Sequence, residues 1–358
     1  MISSKFVRVR DWVNGRAQKP ASAELDAAKQ MLEGKWQDAL ALVDKAAARP
    51  HSGFDTESEF SGRISGLYNL ARLVSSRTIG LSLEGEGNRA VDSAISAIRL
   101  RRAIRPSQRW LDWVAHEVPV ILSLSKPSEE ALARLQATLA REEDPDGSVR
   151  DFIEMRGRLL DDAWGRFYRV PAGRLPPPFP TELLPSPQMR PFITHELVRS
   201  LRAWAELLEI ARKPWPERLR LAGDAVARYK SERFKPGGLN GVLAAASIFR
   251  QTLVPDILIY DRTSQIAVAL ERYRRTHADA LPPTLDALVP QYLNSIPEDP
   301  LIGQPLRFRP VPDGYVVYSV GPDGQDDGGV QLRRTPMGTT GEFPPGADMG
   351  IRVLIRHP

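Results

Sequence analysis

No cysteine occurs anywhere in the 358 residues, which excludes a disulfide framework, a thiolate metal site and a cysteine nucleophile together. Long apolar runs are missing too. The longest, such as VLAAASIF at 242–249, fall far short of the roughly 20 residues that cross a bilayer. The N-terminal MISSKFVRVRDWVNG lacks the apolar centre of a secretory signal. As it stands the chain is expected to be soluble, and a signal or anchor upstream of this start is left open. Lysine is scarce: of 49 basic residues nine are lysine and 40 arginine, set against 44 acids for a net charge of +5. The arginines are dispersed among nearly as many acids, so the excess reads as a compositional bias. The densest basic stretch, RLRRAIRPSQR at 99–109, has no interleaved aromatics and matches no nucleic-acid motif, and nucleic acid is not an expected partner.

Catalytic signatures are absent as well. His116-Glu117 and His195-Glu196 resemble the opening of a zinc-protease helix, but neither has a second histidine four residues after the first; each is expected to be a helix-surface pair. KPGGLNG at 235–241 lacks the ending of a phosphate loop, and no Gly-x-Ser-x-Gly turn occurs. His277, at the end of an expected helix, reads as a C-terminal cap. No catalytic residue is assigned.

What is present is mostly helical pattern. Residues 1–255 read as an α-helical domain built of antiparallel helical hairpins. GKWQDALALVDKAAARP at 34–50 opens on a glycine turn, stops at a proline, and resembles one helix of a tetratricopeptide-type hairpin. A helix, a glycine-rich turn at 85–87 and a second helix with Ala90, Ala94 and Ala97 follow. Further helices are expected at 106–124, 127–142, 148–166, 194–212, 216–230 and 239–251. The stretch 170–192 carries eight prolines, which do not fit inside helices; it is a linker, or a strap held by Phe179, Leu183, Leu184 and Phe192.

After residue 255 the pattern changes. The stretch beginning DRTSQIAVALERYRR is a helix with an apolar stripe of Ile266, Leu270 and Tyr273, and a short second helix contains Leu285, Leu288 and Val289. LRFRP alternates, VPDG is a hairpin turn and YVVYSV is a strand, so an antiparallel pair is expected to lie on the helix. Beyond the strand, GPDGQDDGG threads three carboxylates through four glycines. Glycine lets the backbone fold back, and carboxylates so close repel one another unless a cation or solvent relieves them. An EF-hand is excluded, because the twelfth position from Asp323 is Arg334.

The ordered pieces LPPTLDALV, EDPLIGQPLRFR, YSVGPDG and ADMG resemble the globular domain of the major pseudopilin of type II secretion systems. The likeness covers residues 256–358 and implies a small α+β domain, an antiparallel sheet packed on a helix, with calcium in the loop beyond the second strand. It implies Asp323 as a carboxylate ligand, Val320 as a carbonyl ligand and Asp348 as the closing ligand. Asp326 and Asp327 are added on chemistry alone, as extra acids in the same loop. Two features depart from the family: the methylated N-terminal spine is missing, and the insert 330–347 separates Asp348 from the other acids. The functional expectation is a non-enzymatic interaction or scaffold protein of the bacterial envelope, outside the cytoplasm, near secretion or pilus-type machinery and with an unidentified protein partner. The alternative is a metal-dependent hydrolase using the aspartate loop.

Overall fold

The computed structural model describes residues 2–13, 18–23, 26, 36–48, 60–103, 117–143, 198, 202, 205–232, 256–321, 323–329 and 348–355. The expected helices at 148–166 and 239–251, the proline-rich stretch 170–192 and the insert 330–347 lie outside the described residues. The fold is helix-rich with one small antiparallel sheet near the C-terminus. In chain order the elements are α1 (Ile2–Val13), α2 (Gln37–Ala47), α3 (Phe60–Leu83), α4 (Gly87–Ala103), α5 (Val118–Leu124), α6 (Glu129–Glu142), α7 (Trp215–Glu232) and α8 (Asp256–Thr276). A 3-10 turn (Leu285–Leu288) and strands β1 (Arg307–Val311), β2 (Gly314–Ser319) and β3 (Met349–Leu354) follow. The chain forms two compact units, one of Met1–Asp144, Asp256–Met337 and Glu342–Pro358, the other of Pro145–Pro255 and Gly338–Gly341. The chain returns to the first unit at residue 256, and the helices before residue 145 share a core with the C-terminal sheet.

In the first unit, α3 and α4 form the hairpin that the glycine-rich turn suggested. Gly85 takes φ +78°, a left-handed conformation that glycine adopts without penalty. Thr78 and Ser93, almost equidistant from that turn, bring their hydroxyls to 2.8 Å, which makes the two helices antiparallel. Helix α2 lays Leu40 and Val43 against Val74 and Ala97. It is pinned by Arg77, whose two terminal nitrogens each donate to Asp44 at 2.8 Å while its Nε donates to Ser93. Helix α6 starts at Ser128, whose Oγ accepts from the Ala131 N–H at 3.2 Å, with Glu129 and Glu130 in the first turn and Arg141 in the last; both ends suit the helix dipole. Its Leu132, Leu135 and Leu139 are buried, each contributing about 1.5–3 kcal/mol by removal from water.

Helix α8 runs through the middle of this core. The sequence suggests a single apolar stripe, yet Ile266 through Leu270 are all buried, and so are Thr263 and Ser264. The reason is that α8 has neighbours on several sides: α5 and α6, and strands β2 and β3. A helix covered all round loses the amphipathic signature. The threonine meets the requirement for a hydrogen bond locally, its Oγ1 donating to the Ile259 carbonyl at 2.8 Å. The short second helix is a single 3-10 turn with Leu285 and Leu288 buried, while Val289 is exposed.

The sheet order is β1-β2-β3, all antiparallel. The expected hairpin forms with Val311 opposite Gly314 and Arg307 opposite Tyr318. All six residues of β2 are buried, because the strand is covered on both faces. Tyr315 and Val317 face the core with α8, and Tyr315 donates its phenol to the Ala267 carbonyl at 3.1 Å. The third strand follows the insert and pairs Gly350 with Tyr318; a Cβ at Gly350 would lie 2.1 Å from the Val317 carbonyl oxygen, so only glycine permits this approach. His277, at the end of α8, makes the expected capping contact. Its Nδ1 donates to the Tyr273 carbonyl at 2.9 Å, and its ring stacks on Tyr273 at 3.7 Å between centroids.

Candidate functional site

The loop after β2 is built on glycines at positive φ. Gly321, Gly324, Gly328 and Gly329 lie at +75°, +70°, +74° and +66°, values an L side chain adopts only under strain. This loop folds back over the outer face of β2. At Gly329 a Cβ would come within 2.9 Å of both the Val316 and Tyr318 side chains, so the backbone rests directly on the strand.

Within the loop each acid meets different groups. Asp323 is exposed and accepts from the Gln325 N–H at 3.1 Å, holding its own turn. Asp326 accepts at Oδ1 from the Gly328 N–H at 2.9 Å and the Tyr318 hydroxyl at 3.1 Å, and its Oδ2 is ion-paired with Arg307. Burial alone would raise its pKa, but those three donors together lower it. Tyr318 is pushed up to about 12 by burial, by its bond to Asp326 and by the surrounding acids.

Asp348 is fully buried at 0 % exposure. Its Oδ2 accepts from the Gly329 N–H at 2.6 Å, so the two ends of the insert meet at this carboxylate. The Asp327 N–H also donates to it. Its Oδ1 is buried with no hydrogen-bond partner among the described residues. Burial raises the Asp348 pKa, and the charges of Asp326 and Asp327 push it the same way against the two backbone donors. Val320 is buried, and its N–H donates to Asp299 Oδ2 at 3.1 Å. Asp299, at 1 % exposure, also accepts from the Leu301 N–H at 2.9 Å and from the Ser319 hydroxyl. Burial raises its pKa despite these donors. It thus ties the turn after residue 298 to the start of the acidic loop.

Of the five residues read as cation ligands, Asp348 receives the Asp327 N–H and feels the charges of Asp326 and Asp327, Val320 lies at the mouth of the loop with its N–H on Asp299, and the Asp323 carboxylate accepts from the Gln325 N–H. Among the described residues no three carboxylate or imidazole groups converge as they would around a metal ion. Calcium also accepts carbonyl oxygens and water, and the unpartnered Asp348 Oδ1 is a buried acceptor of the kind a cation satisfies. Asp326 is already paired to Arg307. The contribution of Arg307 is absent from a reading of the loop alone, although the strand alternation and the hairpin register together predict it.

A second cluster lies beneath the helices. Glu117, read from sequence as a surface residue, is 1 % exposed. The reason is the segment it opens: α5 is VPVILSL, with Val118 through Ser123 buried, and a helix apolar all round is an interior helix. Ser75 of α3 donates its hydroxyl to Glu117 Oε1, while Oε2 is buried without a hydrogen bond among the described residues. Burial pushes the Glu117 carboxyl up to about 7, against the opposing pull of the Arg10 charge and the Ser75 hydroxyl. Arg10 belongs to α1, which packs Val9 and Val13 against Ile79 and Val120.

No protein-family model, curated protein or solved structure matches this chain. Among the described residues no helix is long and apolar enough to cross a membrane.

Proposed function

We propose that the chain is a non-enzymatic interaction or scaffold protein of the bacterial envelope, outside the cytoplasm, whose residues 256–358 form a pseudopilin-like α+β part stabilised by calcium. The association with secretion or pilus-type machinery rests on the sequence resemblance. The observation that carries the calcium reading is Asp348: a fully buried carboxylate with one oxygen unpartnered, two backbone N–H groups on the other side of the group, and two further acids nearby. A divalent ion there would supply what Oδ1 lacks and would bind the two ends of the 330–347 insert together. Asp348, Asp327 and the Val320 carbonyl are the residues that would hold it. The role is structural, since the neighbouring acids are engaged in bracing the loop: Asp323 on Gln325, and Asp326 on Gly328, Tyr318 and Arg307.

Thermal melting of the full chain with calcium, with magnesium and with chelator tests this reading. Calcium at about one hundred times its dissociation constant should add roughly 2.7 kcal/mol. Magnesium should add much less, because it demands tight octahedral geometry and gives up water reluctantly. Equal melting in all three conditions would overturn the calcium reading.

A further inference from the structure

We infer that residues 145–255 are an insertion into a first unit that is complete without them, and that Glu143 is the latch that keeps this unit closed where the chain leaves it and returns. The intervening chain can then be cut and removed after folding while the two flanking parts stay together.

The pairing of α6 with α8 carries the first half. Arg272, near the end of α8, donates to Glu129 at the start of α6 at 2.6 Å and to Gln136 in its middle at 2.8 Å. Arg262 and Gln265, in the first half of α8, both reach Glu143 just past the end of α6. The two helices are therefore antiparallel, and the exit at 144 lies near the return at 256, since from Asp256 to Arg262 the helix rises only about 9 Å. Neighbouring ends are the geometry at which a chain accepts an inserted domain. The described residues of the main core lie at 81–139 and 260–355, so the burial that joins the flanking parts comes from those parts themselves.

Both carboxylate oxygens of Glu143 are used across this neck. Oε1 accepts from the Arg262 Nε at 2.9 Å and Oε2 from the Gln265 side-chain amide at 2.8 Å. Arg262 also donates through Nη1 to the Glu298 carbonyl at 2.7 Å, so one guanidinium ties together the end of α6, the start of α8 and the turn before β1. The Glu143 and Arg262 side chains are 20 % and 18 % exposed, and Gln265 is buried. An ion pair at this depth is screened less than one in open solvent, yet it keeps enough contact with water to escape the full cost of burying a charge. The Arg134–Asp92 pair, by contrast, joins α6 to α4 at 3.0 Å with both side chains about half exposed, and it lies wholly on one side of the insertion.

Sites for a sequence-specific protease, placed after Gly147 and before Pro255 in the full chain, test the inference. The folded protein is cut at both, the middle piece is removed, and the affinity of the two end fragments is measured by dilution; circular dichroism before cutting confirms the fold of each variant. The end fragments of the parent should stay together. Glu143→Ala should weaken their affinity about tenfold or more, and Glu143→Gln, of the same size, should show most of that loss. Arg262→Ala should weaken it at least as much, with the double variant within about threefold of Arg262→Ala alone. Arg134→Ala should stay within about threefold of the parent. End fragments that separate on excision, or that stay together only while the middle piece is retained, would overturn the insertion. An affinity unchanged in Glu143→Ala, or lowered equally in Arg134→Ala, would overturn the latch.

Discussion

Replacing Glu117 with glutamine tests the account of the buried cluster most sharply, because it alters a proton and almost no volume. In the folded state burial raises this carboxyl from 4.5 to about 7. A group whose folded pKa lies above its unfolded value contributes stability that is fully present below the unfolded pKa and is lost as pH rises through the folded one. The parent should therefore lose about 2–3 kcal/mol from this site between pH 5 and pH 8, at roughly 1.4 kcal/mol per pH unit across the window. Glutamine has no such proton to lose, and its amide oxygen still accepts from Ser75. The substitution also withdraws the negative charge facing Arg10, but arginine does not titrate in this range, and the term for the protonated parent is common to both pH values. The decisive quantity is therefore the change in the difference between variant and parent. Urea or thermal denaturation of both proteins at pH 5 and pH 8 should show the variant gaining about 2–3 kcal/mol relative to the parent on going to the higher pH, or about 5–10 °C in Tm for a unit of this size. The same offset at both pH values would refute the burial argument.

Gly350→Ala should cost more than about 3 kcal/mol, since the new methyl would lie 2.1 Å from the backbone oxygen of Val317 and the strand pair must separate to admit it; a denaturation midpoint close to that of the parent would contradict the β2–β3 register. Asp299→Asn should cost about 1–3 kcal/mol, because one of its two oxygens becomes an N–H₂ group facing an existing backbone N–H donor at Leu301 or Val320. The same substitution should make the Val320 amide exchange with solvent faster, which hydrogen exchange reads directly.

Much of the C-terminal architecture was legible because it is local. VPDG sets a two-residue hairpin, and that turn alone fixes Arg307 against Tyr318. The same pairing could have located the arginine beside the acidic loop, had the alternation of LRFRP been carried across to the next strand. The glycines announced a loop folded back on itself. What they could not announce is that part of the repulsion among its acids is relieved by a guanidinium from the neighbouring strand. Glu117 was misread because the local pair His-Glu says nothing of Arg10 and Ser75, which reach it from elements far away in sequence. The useful signal was the apolar run VPVILSL immediately after it. The common core of the early helices and the late sheet was not legible for a related reason. An apolar stripe shows that a helix has a buried face but does not name what covers it, and α8, covered on several sides, hardly shows a stripe at all.

The bond from the Leu354 N–H to the Ser123 hydroxyl at 2.9 Å joins residues 231 positions apart, and Gln136 donates to the Tyr292 carbonyl across 156. During synthesis at about 5–20 residues per second, roughly 10 to 50 s pass between the emergence of α5 and that of the strand that covers it. Throughout that interval the side of α5 that meets α8 and β3 lacks its cover, while the whole of 145–255 is being made. The helices translated first are therefore among the last to be finished.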